Sequence, residues 1–83
     1  MEHIILNDEQ VNSGRNRIVV VQLQPKSHNE IMAVKNNINF TQSDEEHKLI
    51  NDYLTGIALQ YSNWNMLRAD YLTGTNWSIT FQK

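Results

Sequence analysis

The stretch SDEEHKLINDYLTGIALQYSNWNMLRADY, residues 43–71, decides the fold class. It opens on Ser43-x-x-Glu46, a capping box in which the hydroxyl and the carboxylate each satisfy a backbone N–H left orphaned at a helix start. Behind it Ile50, Tyr53, Leu54, Ile57, Tyr61 and Trp64 recur at helical spacing, the stripe of a helix that lays one face on a sheet. Gly56 interrupts the stripe at a cost of about 0.8–1 kcal/mol relative to alanine, which the flanking apolar burial offsets.

Continued unbroken at about 100° per residue, the same stripe would put Arg68 in the middle of the apolar face and Met66 near the opposite side. Burying a guanidinium while exposing a methionine is unfavourable. The spacing therefore predicts a break between Ser62 and Asn65, where Ser62-Asn63-Trp64-Asn65 is poor helix material, and a shorter second helix from near Met66 to Leu72. Asp52-Tyr53-Leu54-Thr55-Gly56 recurs as Asp70-Tyr71-Leu72-Thr73-Gly74. Tyr and Leu are read as helix-face anchors in both copies, with Gly74 as the C-terminal cap of the second helix.

Around this layer the pattern changes to period two. Val19, Val21 and Leu23 share one face of a strand over Arg17 to Gln24, while Gln22 and Gln24 take the other. Pro25 ends it, having no N–H for a ladder. Asn12-Ser13-Gly14-Arg15-Asn16 has residues that tolerate positive φ and turns the chain back from a first strand at His3 to Leu6. Trp77, Ile79 and Phe81 alternate with Ser78, Thr80 and Gln82 in a last, half-buried strand over 76–82.

Residues 27–40 carry conflicting signals. Ser27-x-x-Glu30 could open a helix, but Met32, Val34, Ile38 and Phe40 also alternate, and Asn36, Asn37 and Asn39 compete for backbone hydrogen bonds. The asparagines favour a strand over 31–40. The expectation is an α+β fold: a small, mostly antiparallel sheet of three to four strands with a helical layer over one face. Gln22, Gln24, Ser78, Thr80 and Gln82 form an uncharged polar second face.

At 83 residues the chain makes a single domain, 1–83. The absence of cysteine gives no sign of an oxidising compartment and makes a cytoplasmic setting the default. Met1 to Leu6 lacks both the basic and the long apolar region of a signal peptide or anchor, so no membrane partner is expected. A net charge of −2 argues against a general nucleic-acid binder, which needs a clustered basic face. Asp44-Glu45-Glu46 reads as first-turn carboxylates facing a helix dipole.

No catalytic, metal or cofactor signature emerges. His3, His28 and His47 fall in separate elements without paired-ligand spacing. Ser13-Gly14, the nearest approach to an exposed nucleophile, is explained by turn geometry, and three scattered glycines make no phosphate cradle. The aromatics are more informative. Trp77 begins the last strand and is placed in the core. Trp64, between Asn63 and Asn65, is read as a surface or interface residue.

The leading expectation is a non-enzymatic interaction protein that binds a protein partner and regulates or inhibits it, in the manner of small phage and mobile-element inhibitors as a class. Its contact surface is placed at Asn63, Trp64, Asn65 and Arg68, where an amphipathic aromatic, adaptable amides and a cation coincide. The alternative is a small-ligand binder, a homo-oligomer whose pocket forms between protomers from Trp64, asparagines and an anion-pairing Arg68.

Overall fold

The apolar faces of two segments separated by more than fifty residues come together as the centre of the sheet. A computed structural model describing residues 1–83 shows a four-stranded antiparallel sheet of order β1-β2-β4-β3, built from β1 (Glu2–Val11), β2 (Asn16–Gln24), β3 (Asn65–Thr73) and β4 (Asn76–Gln82). Helices α1 (His28–Ile38) and α2 (Asp44–Ala58) lie between β2 and β3 in sequence and cover one sheet face, so the fold is α+β. In the central pair Val19 lies opposite Ile79 and Val21 opposite Trp77. Val19, Val21, Leu23, Trp77, Ile79 and Phe81 meet Ala33 and Val34 of α1 and Ile50, Leu54, Ile57 and Ala58 of α2 in one core that buries no polar or charged side chain. No helix is long and apolar enough to cross a membrane.

The hairpin before β2 forms as expected. Asn12, Ser13 and Gly14 all take positive φ, and the Gly14 N–H donates to the Val11 carbonyl at 3.1 Å. The first strand is longer than its apolar centre, running past a register shift at Leu6 through the polar residues Asn7 to Gln10, which pair with Val20 to Arg17 of β2.

Residues 31–40 are not a strand. Helix α1 starts at a complete capping box: Ser27 Oγ accepts the Glu30 N–H at 3.2 Å, and Glu30 Oε1 accepts the Ser27 and Lys26 N–H groups at 3.0 Å each. The Met1 amine adds an ion pair to Glu30 Oε2 at 2.7 Å. The asparagines that argued against a helix sit in its last turn and cap, and Asn36 Nδ2 donates across to Glu46 Oε2 of α2 at 2.8 Å. Amide competition with the backbone is weakest at a helix end, where carbonyls need other partners anyway.

The segment after Ser62 is not a second helix either. The chain leaves helical geometry already at Ala58, four residues before the expected break, and returns as β3. Met66, Ala69 and Tyr71 lie opposite Phe81, Ile79 and Trp77, with register shifts between Met66 and Arg68 and between Tyr71 and Thr73. Each bulge inserts an unpaired residue, Leu67 or Leu72, and the first lengthens the spacing on the inner face from two to three, from Met66 to Ala69. That spacing imitates a helix. Gly74 is consequently no helix cap: with φ +57° it leads the two-residue Gly74-Thr75 hairpin loop, where positive φ is needed at the first position.

Helix α1 ends in a Schellman motif, with the Thr41 N–H on the Asn36 carbonyl at 2.8 Å and the Phe40 N–H on the Asn37 carbonyl at 3.2 Å. The left-handed residue of this motif is ordinarily glycine. Here it is Phe40, at φ +57° and 89% exposed. A side chain in that conformation costs on the order of 1–2 kcal/mol, and Phe40 recovers little of it by burial.

Phe40→Gly should therefore raise the free energy of unfolding by about 1 kcal/mol, read from urea melts. Glu30 gives a second test. Its carboxyl is held at about 2, below the ordinary 4.5, chiefly by the Met1 amine and then by the Ser27 and Lys26 N–H groups. A carboxylate with a depressed folded pKa stabilises above its unfolded value and loses that contribution as pH falls through the folded one. Wild-type stability should decline between pH 4.5 and about 2, and Glu30→Gln should be less stable at neutral pH and flatter across that window.

Candidate functional site

Where α2 ends and β3 begins, the chain wraps the end of the sheet and leaves a groove of about 240 Å³ lined by Thr55, Ala58, Leu59, Tyr61, Ser62, Trp64, Asn65 and Met66. Its geometry follows from two short turns: the Tyr61 N–H donates to the Ala58 carbonyl at 3.1 Å and the Trp64 N–H to the Tyr61 carbonyl at 3.0 Å. Leu59, the C-cap of α2, projects from the rim at 77% exposure.

Behind the groove stands an aromatic and cationic stack. Tyr61 packs on Phe81 with ring centres 4.8 Å apart, so the turn is tied to the core. Arg17 follows the same alternation as Val19 and Val21 and lies opposite Phe81, on the helix side of the sheet. A charge there needs partners. Its Nε and Nη2 donate to the two carboxylate oxygens of Asp8 at 2.7 and 2.6 Å, while the guanidinium lies 4.6 Å from the Tyr61 ring centre and 5.7 Å from that of Trp64. Lys83 Nζ lies over the Trp64 ring, 5.1 Å from its centre. The hydrogen bond from Arg17 holds the Asp8 carboxyl below the usual carboxylate range, and burial pushes the Tyr61 phenol up. Trp64 is thus half-buried against the core, has two cations near its ring, and lines the groove.

The residues singled out from the sequence separate here. Trp64 and Asn65 line the groove, and Asn63 is exposed in the adjoining turn. Arg68 does not join them. It lies opposite Thr80, on the sheet face that the helices leave open, with its Nε donating to Asp70 Oδ2 at 2.8 Å and its side chain 71% exposed. Plain strand alternation would put Met66 and Arg68 on one face, and the bulge at Leu67 sends them to opposite faces. The cations beside Trp64 are Arg17 and Lys83, which sequence reasoning missed. The available signal was Arg17 itself, a charge on the apolar side of the most regular strand.

A second cleft, of about 340 Å³, opens between the helices and is lined by His28, Asn29, Met32, Glu45, Glu46 and Leu49. His3 lies elsewhere, with Nδ1 2.6 Å from the Tyr53 hydroxyl, and His47 is held between Gln42 and Asn51. No group of three or more histidines, cysteines or carboxylates converges at one point. The groove presents apolar side chains, hydroxyls and the Asn65 amide, with Arg17 and Lys83 near its Trp64, an arrangement suited to receiving a large apolar side chain. No protein-family model, curated protein or solved structure matches the chain.

The two tryptophans should separate in a stability assay. Trp77 is 7% exposed in the core, so Trp77→Ala should cost about 3–5 kcal/mol, enough to unfold much of the protein. Trp64→Ala removes a half-buried ring and two cation contacts of about 0.5–1 kcal/mol each, and should melt as a folded protein.

Proposed function

We propose that the chain is a non-enzymatic interaction protein that binds a protein partner in stoichiometric amounts, seats a side chain of that partner in the Trp64 groove, and so regulates or inhibits it. The observation that carries this reading is the groove itself: Leu59 and Met66 stand open to solvent beside a Trp64 that packs half-buried against the core with Arg17 and Lys83 near its ring. A pre-ordered aromatic loses little conformational freedom on binding, and Trp and Arg are enriched where interface energy concentrates. The groove's 240 Å³ falls below the roughly 300–1,000 Å³ of sites for drug-sized ligands, which favours a partner's side chain over a free small molecule. In this reading the protein works in the cytoplasm, since a cysteine-free sequence suits a reducing compartment.

The reading is tested by affinity capture and titration. Wild type should retain a partner at one-to-one stoichiometry in moderate salt, because the contact is mainly apolar. The double variant Leu59→Ser, Trp64→Ala should bind at least about tenfold more weakly, a loss of about 1.4 kcal/mol, while Arg68→Ala on the open sheet face should bind as wild type. Loss confined to Arg68→Ala would move the contact to that face. Substrate turnover at sub-stoichiometric protein would reject the non-enzymatic reading.

A further inference from the structure

The α1–α2 turn carries a feature that the fold does not use. Phe40 is the most exposed large apolar side chain in the molecule, and it occupies a left-handed backbone position that glycine would hold without strain. Strain of this kind points to a role outside the fold. Just after it, the first turn of α2 presents Asp44 and Glu45, both exposed and neither in an ion pair, with Lys35 as the cation in the last turn of α1. The turn is thus an aromatic knob with an acidic flank.

The groove has the opposite character. Leu59, Trp64 and Met66 offer it apolar walls, and Lys83 stands over Trp64. The Lys83 N–H donates to the Arg15 carbonyl at 3.0 Å, which brings Arg15 to the same end, and neither Arg15 nor Lys83 is in an ion pair. Arg17 is neutralised by Asp8, and Glu9, opposite Ile18, lies on the other sheet face. Knob and groove sit at opposite ends of α2, whose fifteen residues span about 22 Å. They cannot meet within one chain.

We propose that the knob and the groove belong to one head-to-tail contact between copies of this chain: Phe40 of one copy seats between Leu59, Trp64 and Met66 of the next, with Asp44 and Glu45 facing Arg15 and Lys83. The proposal rests on the reading of the Trp64 groove as a contact surface, and names its occupant as a second copy. The surfaces paired are different, so the contact is heterologous and builds open chains rather than a closed dimer. One aromatic anchor and a charged rim make a small interface, so assembly is weak and rises with concentration.

Sedimentation velocity tests this at protein concentrations from about 10 μM to 1 mM, the affinity range of small interfaces. Wild type should grow continuously past dimer. Phe40→Gly, which the backbone favours, should remain monomeric, and so should Leu59→Ser, Trp64→Ala. An equimolar mixture of the two variants keeps one intact knob and one intact groove, and should stop at a dimer. Reversing charge with Asp44→Lys, Glu45→Lys should weaken assembly, and adding Lys83→Glu should restore part of it. A monomeric wild type, or a Phe40→Gly that assembles normally, would overturn the proposal. A dimer abolished by Ile5→Lys would overturn it too, assigning contact to the β1 edge. Phe40→Gly leaves the groove intact and should still capture a foreign partner, so self-pairing and partner binding fail independently. Loss of foreign capture in that variant without any self-association would assign the knob to the partner instead.

Discussion

Val19 against Ile79 and Val21 against Trp77 put the apolar faces of β2 and β4 side by side, and a face that wide must be kept from water. The rest of the architecture answers to that pairing. Neither α1 nor α2 alone covers the face. The helical hairpin does so together, with Ala33 and Val34 from one arm and Ile50, Leu54, Ile57 and Ala58 from the other. β4 comes last in the chain yet lies beside β2, so β3 is displaced to the edge and the α2–β3 connection must pass around the end of the sheet.

That connection creates the groove. Turning at Tyr61 and Trp64 brings two aromatic rings over the end of β2, where the alternation has placed Arg17 on the apolar side. The guanidinium is satisfied by a bidentate carboxylate and by ring faces, which suit its planar, delocalised charge better than they would suit an ammonium. An exposed ion pair of this kind adds little stability by itself. It sets the guanidinium 4.6 Å from the Tyr61 ring centre and 5.7 Å from that of Trp64, beside the open apolar side chains of the groove.

Both sheet edges are blunted. Leu6 in β1 and Leu67 and Leu72 in β3 stand at register shifts, and Glu2, Asp8 and Glu9 on one edge and Arg68 and Asp70 on the other add charge. Bulges and charges of this sort oppose edge-to-edge pairing. The proposed head-to-tail contact uses the ends of α2, with Asn65 and Met66 of β3 in the groove. At one end Phe40 holds its ring out at the expense of backbone strain; at the other the groove stands open.

Much of this was legible in the residues. The strands over 17–24 and 76–82, the turn at Asn12 to Gly14, the helix behind Ser43 and the core position of Trp77 all follow from local pattern, because in those segments propensity, periodicity and turn chemistry agree. Trp64 and Asn65, singled out from the sequence, line the groove, whereas Arg17 and Lys83 come near Trp64 only through the pairing of β2 with β4 and were not legible. The repeat Asp-Tyr-Leu-Thr-Gly marks the boundary between the two. At 52–56 it is helix: Asp52 pairs with Lys48 one turn back, and Leu54 is buried in the core. At 70–74 the same five residues are strand and turn: Asp70 pairs with Arg68 two residues back, Tyr71 packs on Trp77, and Gly74 turns the hairpin. The sequence by itself determined the fold class, the central strands and the capped helix, through signals contained within a few residues. Only the tertiary structure decided the state of the second copy and the membership of the groove, because β4 offers that segment a ladder and an apolar face that no local preference encodes.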